Sequence, residues 1–194
     1  MNQTAEVAVS RRKFEREVAR LRTSERLLVA RGIWVTEAEF PYVKVAFLAT
    51  RMVPRAVALA VRVDFTDYDV RPFSVKFWDP FDDRELLTSE LQTMLPRRID
   101  APVVTDAPAV PGAQAVTTLA QTHGPNMPAF LCLPGVREYH DHPAHTGDAW
   151  ELHRRTDAGA LFDLVETLWR YGSAPLTQLA IQMNVRLQQG EIPE

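Results

Sequence analysis

Residues 56–80 read AVALAVRVDFTDYDVRPFSVKFWDP. Ala56–Phe65 is rich in β-branched residues. In Pro72–Trp78 the side chains of Phe73, Val75 and Phe77 fall on alternate positions and so share one face of an extended strand. Upstream, Ile33–Glu39 alternates apolar with polar residues, and Tyr42–Ala49 resumes the pattern after Pro41. Short links containing Pro54 or Asp67 separate these segments, and Asp79-Pro80 ends the series. Four short strands with short links are joined most economically as an antiparallel meander.

Helices flank the meander. From Val9 to about Ala30, Phe14, Val18, Leu21 and Leu28 recur at helical spacing, with Gly32 placed to stop the helix. Residues 1–8 read as a frayed lead-in. Asp83–Leu95, with Leu87, Leu91 and Leu95 at four-residue steps, predicts a short helix. Pro96–Pro128 is proline-rich and irregular, long for a loop unless it is functional or hides further elements. Thr156 or Asp157 can cap a helix running to about Tyr171 and closed by Gly172, with Leu161, Leu164 or Val165, and Leu168 as its buried face. Ser173 and Pro175 introduce a last helix, Leu176–Gln189, so that 173–194 form a C-terminal helix and tail. The expected fold is α+β, one domain over residues 1–194.

With 194 residues, 46% hydrophobic and 24% charged, the chain is ordinary for a globular protein. Its net charge of −3 provides no global basic field for nucleic acid, and its apolar runs are too short to span a bilayer. The N-terminal residues lack the order of a secretory signal, and one cysteine cannot make an internal disulfide; a cytoplasmic protein is expected. No phosphate-cradling glycine loop or dinucleotide fingerprint is present. Tyr68, Phe73, Phe77, Trp78, Trp150 and Trp169 read as packing residues. Arg11, Arg12, Lys13 and Arg16 give the first helix a basic start, either a solvated face or one that docks a partner.

Chemistry concentrates in HGPNMPAFLCLPGVREYHDHPAHTGDAWELH, residues 123–153, which hold Cys132 and all five histidines. Cys132 lies between Leu131 and Leu133, ahead of a Pro134-Gly135 turn that can present its sulfur at a strand end. A thiolate there would be a nucleophile; a buried, inert thiol is the plainer reading. Cys132, Glu138, His140, His142 and His145 also offer sulfur, oxygen and nitrogen donors suited to zinc. In an extended segment His140 and His142 point oppositely, so one of them would join His145. A sulfur ligated to zinc is a poorer acyl acceptor, so the two uses of Cys132 compete.

The order of elements, the strand pattern at 59–80, His123-Gly124-Pro125-Asn126 and Leu131-Cys132-Leu133 together resemble the ubiquitin-conjugating enzyme (UBC) family. That resemblance implies a UBC-like fold with an N-terminal helix, a four-stranded meander, an irregular active-site stretch and C-terminal helices. It implies that Cys132 accepts a ubiquitin-like modifier as a thioester from an activating enzyme and yields it to an amine of a protein substrate, with no cofactor required. Asn126 would stabilise the oxyanion, His123 would brace the loop, and His140, Asp141 or Asp148 would orient or deprotonate the amine. The basic start of the first helix would dock the activating enzyme. The inserted Gly124, the short step from Asn126 to Cys132 and the histidine-rich run before Trp150 depart from the family pattern. Cys132, Glu138, a histidine at 140 or 142, and His145 also resemble the Cys-Glu-His-His pattern of a bacterial family described as predicted metal-binding and linked to ubiquitin-like conjugation. That resemblance implies a zinc-binding accessory protein.

Overall fold

A computed structural model of the protein describes residues 5–99, 115–156 and 159–178. Helix α1 (Val7–Thr23) and helix α2 (Glu25–Ala30) precede strands β1 (Ile33–Glu39), β2 (Tyr42–Ala49), β3 (Ala56–Asp64), β4 (Ser74–Asp79) and β5 (Arg84–Glu85). These five strands form one antiparallel sheet in sequence order. The α+β class and the four long strands of the meander agree with the sequence reading; β5 is an addition.

The expected first helix is divided at Ser24, and it starts at Val7, inside the supposed lead-in. Phe14, Val18 and Leu21 from α1 and Leu28 from α2 are all buried against the sheet. Gly32 ends the pair with φ +80°, and a Cβ there would stand 2.5 Å from Thr50 Cγ2. Conformation and space therefore both require glycine. One sheet face carries the core: Val43, Val45, Val61, Val63, Phe65, Phe73, Val75 and Phe77 are 1% exposed or less. Helix α5 (Leu161–Leu168) closes that core with Leu161, Leu164, Val165 and Leu168, the predicted face. Its first amide, Leu161 N–H, donates to Glu17 Oε2 at 3.3 Å, so a buried carboxylate on α1 serves an otherwise unpaired helix-start donor.

Asp83–Leu95 is not helical. Arg84–Glu85 instead pairs with Trp78 and Asp79, and Thr88–Glu90 makes a single tight turn. The edge of β4 needs a hydrogen-bonding partner, and Glu90 accepts from the Leu87 N–H at 2.8 Å while pairing with Arg84. These local bonds override the leucine spacing. The irregular stretch contains β6 (Pro96–Ile99), β7 (Ala115–Thr118) and β8 (Ala120–Gln121); the segment between β6 and β7 lies outside the described residues. Helix α5 starts at Leu161 rather than near Thr156, and a wider helical turn, Trp169–Ser173, follows it. The possible cap Asp157 lies outside the described residues. Of the expected last helix, residues 176–178 are non-helical and the rest lies outside the described residues.

Candidate functional site

Strand β9 (Phe130–Leu131) pairs with β8 and places Cys132 at its end, where Cys132 N–H donates to Leu119 O at 2.7 Å. Leu131, fully buried, fixes the strand from below. The chain then turns through Pro134 and Gly135 (φ 91°). It returns to the sheet at Val136, which bridges Phe73 at the start of β4. From there α3 (Arg137–His140) is clamped to the sheet. Arg137 N–H donates to Phe73 O at 2.9 Å, and its guanidinium donates to Pro72 O and Thr66 O.

Three polar ties shape the loop between Cys132 and α4 (Trp150–His153). Gly135 N–H donates to His140 Nε2 at 3.1 Å, and His140 Nδ1 lies 2.8 Å from Asp148 O. The first contact requires an acceptor at Nε2 and the second a donor at Nδ1, which assigns His140 as the neutral Nδ1–H tautomer. His142 Nδ1 accepts from Ala144 N–H at 3.2 Å, starting the tight turn Pro143–His145. That turn brings His145 Nε2 to 3.3 Å from Cys132 Sγ. The Tyr139 ring lies on the His145 ring, centroids 3.9 Å apart and planes 22° apart. Tyr139 O–H donates to Asp148 Oδ2 at 2.7 Å, and Asp148 Oδ1 takes a bond from His153 Nε2.

The electrostatics follow from these contacts. Partial burial pushes the Cys132 thiol up, opposed by the positive charge of Arg97 on β6. The bond to Asp148, with some burial, pushes the Tyr139 hydroxyl up to about 12. The bonds from Tyr139 and then His153 hold the Asp148 carboxyl below its ordinary value. The centre thus sets a thiol whose ionisation burial opposes 3.3 Å from a ring nitrogen of His145. Such a pair can ionise on attack by sulfur.

Other residues named from the sequence sit elsewhere. His123 is exposed and stacks on Phe130 and His142, with centroids at 5.3 and 6.0 Å. Asn126 is exposed in a turn fastened by Ser89 N–H to Pro125 O at 3.0 Å and Thr88 N–H to Met127 O at 2.9 Å. Asp141 pairs with Arg71 at 2.7 Å on the surface. Glu138 turns to the sheet, where it accepts from Ser74 O–H and, at 3.2 Å, from Val75 N–H. In the basic start of α1, Lys13 is paired with Asp69, Arg16 with Glu17, and Arg11 lies over the Phe40 ring. Trp150 is buried as expected and donates to Asp69 O at 3.0 Å.

The five zinc donors are thus divided. Cys132 and His145 are adjacent, whereas Glu138 and both nitrogens of His140 are occupied by protein partners. Among the described residues no three His, Cys, Asp or Glu side chains are grouped to hold a metal ion. The sequence reading missed Tyr139 altogether and placed His145 only among metal ligands. The six-residue spacing of two aromatic rings before and within a Pro-His turn was the one available signal. Among the described residues no helix is long and apolar enough to cross a membrane.

Comparison with known proteins matches residues 5–176 to the Y4jH-like model, described as the Y4jH family. A Sinorhizobium fredii (strain NBRC 101917 / NGR234) protein, "Uncharacterized protein y4jH", is 36% identical over 198 residues, covering 95% of this chain and 92% of its own. The match embraces the sheet, the cysteine loop and α5 together, and the chain belongs to the Y4jH-like family.

Proposed function

We propose that this protein is a ubiquitin-conjugating-like acyl carrier. Cys132 accepts the C-terminal carboxyl group of a ubiquitin-like modifier as a thioester from an activating enzyme and passes it to an amine of a protein substrate. The observation that carries this reading is the 3.3 Å approach of His145 Nε2 to Cys132 Sγ at the end of β9. The Cys132 proton passes to His145 Nε2 as sulfur forms its bond to the acyl carbon. The carbon–sulfur bond of the delivering thioester then breaks, and the departing thiolate takes the proton from His145. In the second transfer an amine nitrogen attacks the same carbon and loses a proton to His145 Nε2 as the amide forms; the carbon–sulfur bond breaks, and the departing Cys132 thiolate takes that proton back from His145. The resemblance of the strand pattern and of HGPN and LCL to the conjugating family supplies the substrate class. Asn126, His123, His140 and Asp141 have smaller parts in this scheme than the resemblance implies, because none is in the Cys132–His145 contact.

The test is a non-reducing gel of the protein mixed with a candidate activating enzyme, modifier and ATP. A thiol-sensitive adduct is expected, lost in Cys132→Ala and converted to a hydroxylamine-resistant but alkali-labile ester in Cys132→Ser. An unchanged adduct in Cys132→Ala would overturn the reading. A zinc-binding accessory of the same pathway is the competing proposal, favoured only by the adjacency of Cys132 and His145. Stoichiometric zinc in purified protein, lost in His145→Ala, would favour it.

A further inference from the structure

The Cys132–His145 contact has a second layer that neither the resemblance nor the family match assigns. His145 stands on a three-residue turn, a weak mount for a group that must receive a proton. Its imidazole meets the Tyr139 ring almost face to face, 3.9 Å between centroids. Tyr139 is itself fixed at both ends: its backbone lies in α3, which is bonded to β4, and its hydroxyl is bonded to Asp148 at 2.7 Å. Asp148 is held in turn by His153 and, through its carbonyl, by His140. An aromatic face attracts a cation, and an imidazolium stacked on a ring gains more from it than a neutral imidazole does. A phenol donating to a carboxylate has an electron-richer ring than a free phenol.

We propose that Tyr139, anchored by Asp148, is a positioning residue that seats His145 against the Cys132 thiol and stabilises the imidazolium formed as the thiol proton moves to Nε2. The inference takes from the proposed function only that Cys132 reacts through its sulfur. The thiol proton is the only group transferred, and it returns from Nε2 to the leaving group. The charged and titratable groups that bear on this pair are Arg97 beside Cys132, the His142 ring 5.7 Å from His145, and Asp148 with its partners His140 and His153. Asp148 acts on His145 through Tyr139, whose hydroxyl it holds at 2.7 Å.

Alkylation of Cys132 by iodoacetamide, followed by mass spectrometry from pH 6 to 10, reads the pair without any modifier. Tyr139→Leu keeps an apolar side chain and removes the aromatic face. It is expected to slow alkylation near neutral pH roughly fivefold to tenfold, the worth of a partly buried cation–π contact. The alkaline half-point should rise while the limiting rate at high pH stays unchanged. In a His145→Ala background the same substitution should have no effect. If Tyr139→Leu leaves the pH profile of the His145 protein unchanged, or slows both backgrounds equally, the proposal is overturned. Should Tyr139→Leu not fold by circular dichroism, Tyr139→Phe carries the test. Releasing the Asp148 anchor should slow the His145 protein about twofold and leave His145→Ala untouched; equal effects in both would overturn the proposal. A shifted profile with no adduct on the gel would leave this inference standing and remove the carrier function.

Discussion

Replacing Glu138 with alanine separates two uses of one carboxylate, as a brace or as a metal ligand. Strand β5 covers the outer edge of β4 only at Trp78 and Asp79, so the edge nearer Ser74 is covered by the chain at Val136–Glu138. There the Glu138 carboxylate takes the place of a neighbouring strand. It accepts from the Ser74 hydroxyl and from Val75 N–H at 3.2 Å, with Lys76 Nζ at 3.5 Å. The Glu138 side chain is 16% exposed and Ser74 is buried, so water is a poor substitute acceptor. Two hydrogen bonds to a charged acceptor are worth roughly 1.5 kcal/mol each or more, and the half-exposed Lys76 pair adds well under 1 kcal/mol. Glu138→Ala should therefore destabilise the protein by roughly 3 kcal/mol, lowering the melting temperature by about 6–12 °C for a chain of this size. Glu138→Gln keeps one acceptor oxygen and should cost about half as much. Thermal melts followed by circular dichroism measure both. A Glu138→Ala protein that melts within about 2 °C of the parent while losing bound zinc would refute the bracing role and return Glu138 to a ligand set.

Two further expectations concern the frame around the loop. Burial alone would raise the Asp69 carboxyl, but hydrogen bonds and charge from Lys13 and Arg154 outweigh it and hold the group below its ordinary value. A depressed folded-state value contributes stability above about pH 4, lost as pH falls through the folded value. Denaturant midpoints measured from pH 7 to pH 3 should thus fall less steeply in Asp69→Asn than in the parent, and identical slopes would contradict the pairing. Leu168, fully exposed in an unfolded chain and 0% exposed here, closes the core from α5. Leu168→Ala should cost about 2–5 kcal/mol by lost burial and a residual cavity. An urea midpoint unchanged by that substitution would remove α5 from the core.

The meander was legible because its signal is periodic and long: alternate residues in Tyr42–Ala49, Ala56–Asp64 and Ser74–Asp79 must share a face, and one face is the core. The same reasoning found Leu161, Leu164, Val165 and Leu168 on α5. It failed at Asp83–Leu95, where leucines at four-residue steps satisfy a helix pattern equally well. There the deciding forces were an open edge on β4 and the Arg84–Glu90 pair, both outside the reach of apolar periodicity. The short strands β6 to β8 escaped for a related reason: two to four residues carry too few alternations to register, and long-range pairing specifies them.

At the site, residue type located the neighbourhood and could not assign the partners. Cys132 and five histidines in 31 positions mark the loop, yet composition treats His140 and His145 alike. The difference arises in the turns. At His140, a Gly135 N–H on one side and an Asp148 carbonyl on the other consume both ring nitrogens, so the residue most like a base by position is fixed as a strut. At His145, a turn begun by the His142 ring leaves Nε2 aimed at sulfur. The two histidines are therefore distinguished by the partners the folded loop gives them: backbone groups at both ring nitrogens of His140, and sulfur at Nε2 of His145. Asp148, held by His140 at its carbonyl and by His153 at its carboxylate, anchors the Tyr139 hydroxyl, and the Tyr139 ring stacks on that of His145. In the proposed function, the reactivity of the Cys132 thiol is accordingly a property of the whole Cys132–His153 loop rather than of its cysteine.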